Sequence, residues 1–264
     1  MPRIATPVSD IFLDKKYTKI LIEKSDCLEL RDRSMDTNFK NEEIFHCEMQ
    51  PIHEFTKKNF EYIQKIKDKH PGLKLLTFHC ASSCNDPCIE NGMFKLNGKK
   101  YTKQDLLDNA KHNFLKLREI LGSVIKIGIE NNNYFPTEAY DYVTDPEFIS
   151  EIIHENQLYF LFDIAHARIV AYNRNIEYGE YKEKLPFDRI IQLHISSYGI
   201  SDGLACDLHD YPGEEEFNEV RDIISKYDVE YLTIEYYKDI EHLLISLKKI
   251  KEIIDEFHGA TFQP

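Results

Sequence analysis

Leu158-Tyr159-Phe160-Leu161-Phe162-Asp163-Ile164-Ala165-His166 sets five apolar residues in a row before an acid, with a histidine three positions further on. An unbroken apolar run suits a strand covered on both faces, as in a parallel sheet. Seven further strand-like runs accompany it, at 3–8, 26–31, 43–49, 74–79, 124–130, 189–195 and 230–235. Apolar residues at helical spacing fill 14–25, 52–69, 214–226 and 239–257 between them. Thr102 is a candidate N-cap ahead of Leu106, and Thr144-Asp145-Pro146-Glu147 is a second helix start. Only the 32–42 link is too short for a full helix. No repeat, composition break or Pro/Gly linker divides the chain, so a single α/β domain is expected over residues 1–264. Eight strands in this length predict a closed (β/α)8 barrel better than an open doubly wound sheet. The stretches 80–100 and 196–214 read as long irregular loops, a length that inside a compact domain is usually functional.

The composition narrows the function. Thirty-three basic residues against 46 acidic ones give a net charge of −13. Nucleic-acid binding rests on neutralising phosphates with Lys and Arg, so this balance disfavours it, and a membrane surface is disfavoured for the same reason. No apolar stretch nears the roughly 20 residues that span a bilayer, and no signal-peptide pattern opens the chain. Six cysteines in 264 residues do not make a disulfide scaffold, so a cytoplasmic protein with reduced thiols is expected. No Gly-rich phosphate loop follows any strand, which counts against a nucleotide site.

The chemistry collects at strand ends. His46 and Glu48 lie on the third run, His79 ends the fourth, Glu130 the fifth and Asp163 the sixth. His194 lies on the seventh run and Glu235 ends the eighth, with Asp207 and His209 in the loop between. A (β/α)8 barrel gathers the C-terminal ends of its strands on one face, where these side chains can meet. Buried acids and imidazoles cluster only when something compensates them, and a cation does so. Asp207 and His209, two apart, would point the same way from an extended loop. No thiolate stands among the strand-end positions, so the set favours Fe, Zn or Mn over a Cys-rich structural site. Any one of these residues alone reads more simply as a satisfied polar group or a salt-bridged acid; the pattern across six consecutive strands carries the expectation of a polar metal site. His46 is the least secure member, with Glu48 as its substitute. His53, His70, His154 and His258 read as surface or capping residues, and His112 as a helical structural residue.

Leu76-Thr77-Phe78-His79, Gly128-Ile129-Glu130-Asn131, Asp163-Ile164-Ala165-His166-Ala167, Leu193-His194, Asp207-Leu208-His209 and Ile234-Glu235 resemble the xylose isomerase-like TIM-barrel superfamily, in the pattern of endonuclease IV. Carried over position by position, the resemblance implies that His46, His79, Glu130, Asp163, His166, His194, Asp207, His209 and Glu235 bind a three-metal cluster. The wording around them is nearer to the multinuclear non-heme iron-dependent oxidative enzymes: Glu130-Asn131-Asn132-Asn133-Tyr134, Asp145-Pro146-Glu147-Phe148, Ala171-Tyr172-Asn173 and Leu185-Pro186-Phe187-Asp188-Arg189. Those enzymes use two or three iron ions and oxygen to remodel cysteine or other residues of peptide substrates. The resemblance runs from about Phe78 to Tyr237. His166 stands where the oxidative enzymes tend to have Asn, which leans toward the endonuclease pattern. No basic DNA-reading loop matches the endonuclease, and no separate peptide-binding domain follows the barrel, so a peptide would need a partner protein or an open groove.

The leading expectation is therefore an iron-dependent oxidative enzyme acting on a peptide or small molecule with two or three divalent ions, iron ahead of zinc or manganese. A phosphodiester hydrolase like endonuclease IV, a sugar isomerase or epimerase, and a non-catalytic metal-holding barrel are the alternatives. Glu130, His194 and Glu235 are the candidate catalytic residues. Arg31 and Arg33, after the second strand, would hold an anionic substrate or pair with Asp32 or Asp36; Asn131, Tyr172 and Asn173 are the other candidate substrate contacts. Cys80, Cys84 and Cys88 recur every four residues but match no metal signature, and read as reduced thiols. Tyr134, Tyr172, Tyr198, Tyr236 and Tyr237 would wall the substrate site or simply pack.

Overall fold

Residues 1–260 are described by the computed structural model, with side chains through residue 257, so the expectation for His258 lies outside the described side chains. In chain order the strands are β1 (Arg3–Pro7), β2 (Cys27–Arg31), β3 (Glu42–Cys47), β4 (Leu75–Phe78), β5 (Cys88–Glu90), β6 (Met93–Lys95), β7 (Lys126–Glu130), β8 (Tyr159–Asp163), β9 (Ile190–Ile195), β10 (Ser197–Ser201), β11 (Leu204–Asp210) and β12 (Tyr231–Ile234). Eight of them close a barrel in the order β1-β12-β9-β8-β7-β4-β3-β2, with every neighbouring pair parallel. The expected (β/α)8 barrel is the fold, each predicted strand landing within a few residues of its run.

The helices are α1 (Lys15–Lys24), α2 (Lys57–Lys69), α3 (Lys103–Leu121), α4 (Pro146–Glu155), α5 (Ile164–Arg174), α6 (Tyr178–Lys182), α7 (Glu214–Lys226) and α8 (Ile240–Ala260). Local chemistry sets several starts. Thr102 and Asp105 form a capping box on α3, the hydroxyl accepting from Asp105 N while the carboxylate accepts from Thr102 N at 2.9 Å. Pro146 opens α4 behind Asp145. Helix α2 begins five residues later than its periodicity suggests, because Thr56 and Asn59 cap it there. A single 3-10 turn, Asp32–Ser34, stands in the short β2–β3 link.

Each of the two stretches expected to be irregular contains a paired hairpin. β5 and β6 form one antiparallel hairpin and β10 and β11 another. Their two-residue turns are Asn91-Gly92 and Asp202-Gly203, with φ of 52° and 76°, and 51° and 80°. Asn-Gly and Asp-Gly with both residues left-handed make the type I′ turn, whose twist matches that of the flanking strands. The sequence carried this signal in four letters.

Alternation along each barrel strand separates two environments. Side chains facing outward join the large apolar core under the helices, with Phe45, Phe78, Phe160 and Phe162 fully buried there. A second apolar cluster of Ala5, Cys27, Ile44, Leu75, Ile191 and Tyr231 lies toward the N-terminal ends of the strands. Above it, toward the C-terminal ends, the barrel turns polar with Glu29, Thr77, Gln192, Thr233 and His194, each fully buried. Gly128 on β7 sits among these layers. A Cβ there would lie 3.1 Å from Thr77 Cγ2 and 3.4 Å from Tyr159 O, so the barrel closes tightly at this point.

Of the surface or capping role expected for His70, the capping part holds, since it is the C-cap of α2 with its backbone N–H on Ile66 O, and the surface part does not. It is buried, with Nδ1 2.8 Å from Glu42 Oε2 and Nε2 3.2 Å from Met35 O, and ties the end of α2 to β3. His112 and His154 are exposed, whereas His53 is half-buried against Tyr101 and 2.7 Å from Ser82 O. Among the described residues all six cysteines are free thiols, and none joins a group of three metal-ligand side chains.

Candidate metal centre

His194 on β9 and Glu130 on β7 are the hub of the site. His194 Nδ1 lies 3.0 Å from Glu130 Oε1, 3.2 Å from Glu235 Oε1 and 4.0 Å from Asp163 Oδ2. Glu130 Oε2 lies 2.9 Å from His79 Nδ1 and 3.4 Å from His46 Nε2. His166 Nδ1 is 3.9 Å from both Glu130 Oε1 and Asp163 Oδ1, and its Nε2 is 3.4 Å from Asp207 Oδ2. Asp207 Oδ1 in turn accepts from His209 at 2.7 Å. These contacts link all nine candidate ligands. His46 is the β3 member; Glu48 lies past the strand, exposed at the mouth.

Local structure aims each group. The Asp163 carboxylate caps α5 by accepting the His166 backbone N–H at 2.7 Å through Oδ1, which leaves Oδ2 for the site. His166 thus comes from the first turn of a helix rather than from a loop. Its Nδ1 hydrogen-bonds to Asn131 O at 3.0 Å. His46 Nδ1 pairs with Thr77 Oγ1 at 2.8 Å, so Nε2 faces Glu130. Such outer bonds fix the tautomer and ring orientation of a ligating imidazole. Asp207 and His209, on β11, turn to the same cavity and meet there, His209 Nδ1 lying 2.7 Å from Asp207 Oδ1, with a φ of 44° at His209.

Beneath them lies Glu29 on β2, which the sequence reading missed. Its Oε2 accepts from Gln192 Nε2 at 2.6 Å, Thr233 Oγ1 at 3.2 Å and His194 Nε2 at 3.1 Å, while Oε1 accepts from Arg31 Nε at 3.0 Å and Nη2 at 2.7 Å. In Cys27-Leu28-Glu29-Leu30-Arg31 the leucines look like the buried face and the charges like the wet one. Inside a closed barrel both faces are covered, and the charged face is the one that lines the centre.

Burial and charge set the proton positions. For Glu29 burial alone would raise the pKa, but the charges of His194 and Arg31 pull it down to about 2. Burial holds His46 at about 4 despite Glu130. Burial lifts Asp163 to about 7, with Glu235, Glu130 and Asp207 adding to the rise against the charge of His166. His166 and His194 keep their protons well above the usual imidazole range, because the surrounding carboxylates outweigh the cost of burial. Three groups place ligand atoms within 4.8 Å of one another: His46, His79 and Glu130; Glu130, Asp163 and His166; and Glu29, His194 and Glu235. His46 Nε2, Glu130 Oε2 and Asp163 Oδ2 are buried and make no well-aligned hydrogen bond, Glu130 Oε2 meeting His79 and His46 only as close ion-pair neighbours. Orphaned ligand-type atoms converging in this way are what a bound cation satisfies.

The centre opens into a cavity of about 410 Å³ walled in part by Gln50, Phe94, Asn132, Asn133 and Tyr140. Arg31 lines it, paired with Glu29 and Glu235 rather than with Asp32 or Asp36. The other candidate substrate contacts stand off this wall. Arg33 rests 5.7 Å over the Tyr237 ring, and Tyr172 is exposed beside Tyr198. Asn131 is fully buried and brackets the Asp163 backbone at 2.8 Å and 3.0 Å. Asn173 binds Tyr134 O and both backbone polar groups of Ala205, pinning β11, which carries Asp207 and His209, to α5. Of the tyrosines, Tyr237 donates to Glu235 Oε1 at 3.2 Å.

The parallel eight-stranded barrel thus carries this cluster at its C-terminal mouth. Residues 93–255, well over half of the chain, match the family described as RiPP precursor modification enzyme MbnB/TglH/ChrH, and the chain belongs to that family. A UPF0276 protein of Caulobacter vibrioides is 30% identical over 84 residues, 32% of this chain and 30% of that protein. Another, of Acaryochloris marina, is 29% identical over 97 residues, 37% and 34% of the two chains. The matched region thus spans about a third of these curated relatives. Among solved structures, the 3-keto-D-glucoside 4-epimerase YcjR of E. coli superposes with TM-score 0.58 at 12% identity, over 97% of this chain and 100% of that one. SacUVDE superposes with TM-score 0.57 at 14% identity, over 96% and 99%. These two likenesses show the fold. Among the described residues no helix is long and apolar enough to cross a membrane.

Proposed function

We propose that this chain is a metal-dependent oxidative enzyme that modifies a peptide, working with two or three divalent ions, iron ahead of zinc or manganese. The observation that carries the reading is the set of orphaned, buried ligand atoms on His46, Glu130 and Asp163 at the centre of overlapping His/carboxylate groups. The donors are nitrogen and oxygen with no thiolate, which suits these metals. His46, His79 and Glu130 would hold one ion and Glu130, Asp163 and His166 another. The bound metal would supply an open coordination position for substrate and dioxygen.

The chain's own residues orient and enclose. Thr77 and Asn131 hold the rings of His46 and His166 through their Nδ1 atoms, and Asn131 also braces Asp163. Phe94 and Tyr140 stack at 5.7 Å on the cavity wall and present apolar surface beside the ligands. A second hollow of about 420 Å³ shares Gly92, Asn133 and Asp207 with the cavity and also takes Met93 of β6 and Leu204 and Cys206 of β11 into its wall. Together they suit an elongated substrate better than a single small molecule, and the net charge of −13 argues against a nucleic acid. A peptide would enter along this path, alone or presented by a partner protein.

The test is protein purified without oxygen, assayed for metal content and for oxygen uptake with a precursor peptide. Iron in the protein and peptide-dependent oxygen consumption are expected. A protein that holds only zinc and turns over anaerobically overturns the reading.

A further inference from the structure

We propose that the guanidinium of Arg31 occupies the Glu29–His194–Glu235 corner of the cluster in place of a metal ion. The inference deepens the metal-centre reading and concerns which of its ligand groups take metal.

The three groups are not alike. Two contain the orphaned atoms, His46 Nε2, Glu130 Oε2 and Asp163 Oδ2. In the third, the ligand atoms are already engaged. Glu29 Oε1 accepts two N–H groups of Arg31, at 3.0 Å and 2.7 Å, and Oε2 accepts from Gln192, Thr233 and His194. Glu235 Oε1 accepts from Arg31 Nη2 and from Tyr237. His194 bridges the pair, with Nε2 3.1 Å from Glu29 and Nδ1 3.2 Å from Glu235. Of the unpartnered atoms nearby, Gln192 Oε1 is a neutral amide oxygen, and Asp163 Oδ2, 4.0 Å from His194 Nδ1, belongs to the neighbouring group.

Charge and shape favour the same occupant. Glu29 is fully buried, and Arg31 keeps its side chain 13% exposed. Two buried carboxylates need positive charge, and arginine supplies one that does not deprotonate, in a flat fork that spans both. A divalent ion added to that corner would meet a guanidinium at contact distance in a poorly screened interior. Arg31 is also held from behind, its backbone N–H donating to Ser34 Oγ at 2.7 Å across the short turn after β2.

Ferrous ion titrated anaerobically into metal-free protein, with bound metal counted per chain, tests this directly. Arg31→Gln should bind one equivalent more than the wild type, Arg31→Lys the same number, and Glu29→Gln the same number. No gain in Arg31→Gln, or one equivalent lost in Glu29→Gln, overturns the assignment; the second arm decides alone if Arg31→Gln does not fold. The comparison is with the wild-type count whatever it is. A wild type that takes up no metal therefore sinks the proposed function, while the gain or its absence in Arg31→Gln still decides this inference.

Discussion

His194 Nδ1 stands 3.0 Å from Glu130 Oε1, so the imidazole of β9 and the carboxylate of β7 share the middle of the barrel mouth. Neither β7 nor β9 pairs with the other; β8 lies between them and contributes Asp163. Replacing His194 with Ala removes the buried group that faces Glu130, Glu29 and Glu235 together. The metal-free His194→Ala protein should lose about 3–5 kcal/mol in urea unfolding, the cost of stranding a buried charge. It should also lose bound metal on elemental assay. Unchanged stability together with unchanged metal content would contradict this placement.

Asn173 lies away from the cavity wall, yet its amide pins Ala205 of β11 at 2.8 Å and 2.9 Å. Asn173→Ala should loosen the strand that presents Asp207 and His209 and weaken metal binding about 10–100-fold, as outer supports of metal sites do. Calorimetric titration reads the affinity. A loss of substrate affinity with metal binding intact would show instead that Asn173 contacts the substrate.

Metal uptake should release protons. In the metal-free protein His166 holds its proton above the usual imidazole range, and Asp163 titrates near pH 7. Ligation requires both to be deprotonated, so affinity should fall as pH drops from 8 to 6. His46, held near 4, is already neutral across that range and contributes no proton. Titration in two buffers of different ionisation enthalpy measures the protons released; a count of zero at pH 7 would refute the assignment of Asp163 and His166 as ligands.

Gly128 leaves no room for a side chain beside Thr77. Gly128→Ala should cost about 1–3 kcal/mol by overpacking. Because Thr77 pairs with His46 Nδ1, the same change should weaken the first metal equivalent while leaving the hairpins unaltered. Chemical unfolding with parallel metal titration checks both parts.

The barrel was legible because its strands are apolar on both sides and end in ligand-type residues, a pattern that survives without knowledge of neighbours. All nine candidate ligands converge for that reason. Glu29 was not legible, because Leu28 and Leu30 mimic the buried face of a half-wet strand. The first hairpin was hidden by its three-residue strands and the second by a polar, weakly patterned sequence, although Asn91-Gly92 and Asp202-Gly203 marked both turns. Asn131 and Asn173 were read as substrate contacts from motif likeness; their amides instead hold backbone together, a role that only three-dimensional neighbours reveal.

The groups that face one another at the mouth are drawn from position 29 to position 235 of a 264-residue chain. A polypeptide emerging from the ribosome therefore lacks Glu235 until every other member of these groups has been made. Loading of the complete cluster must wait until the eighth barrel strand has been made, and a translation product cut short before that point would carry an unfinished coordination sphere.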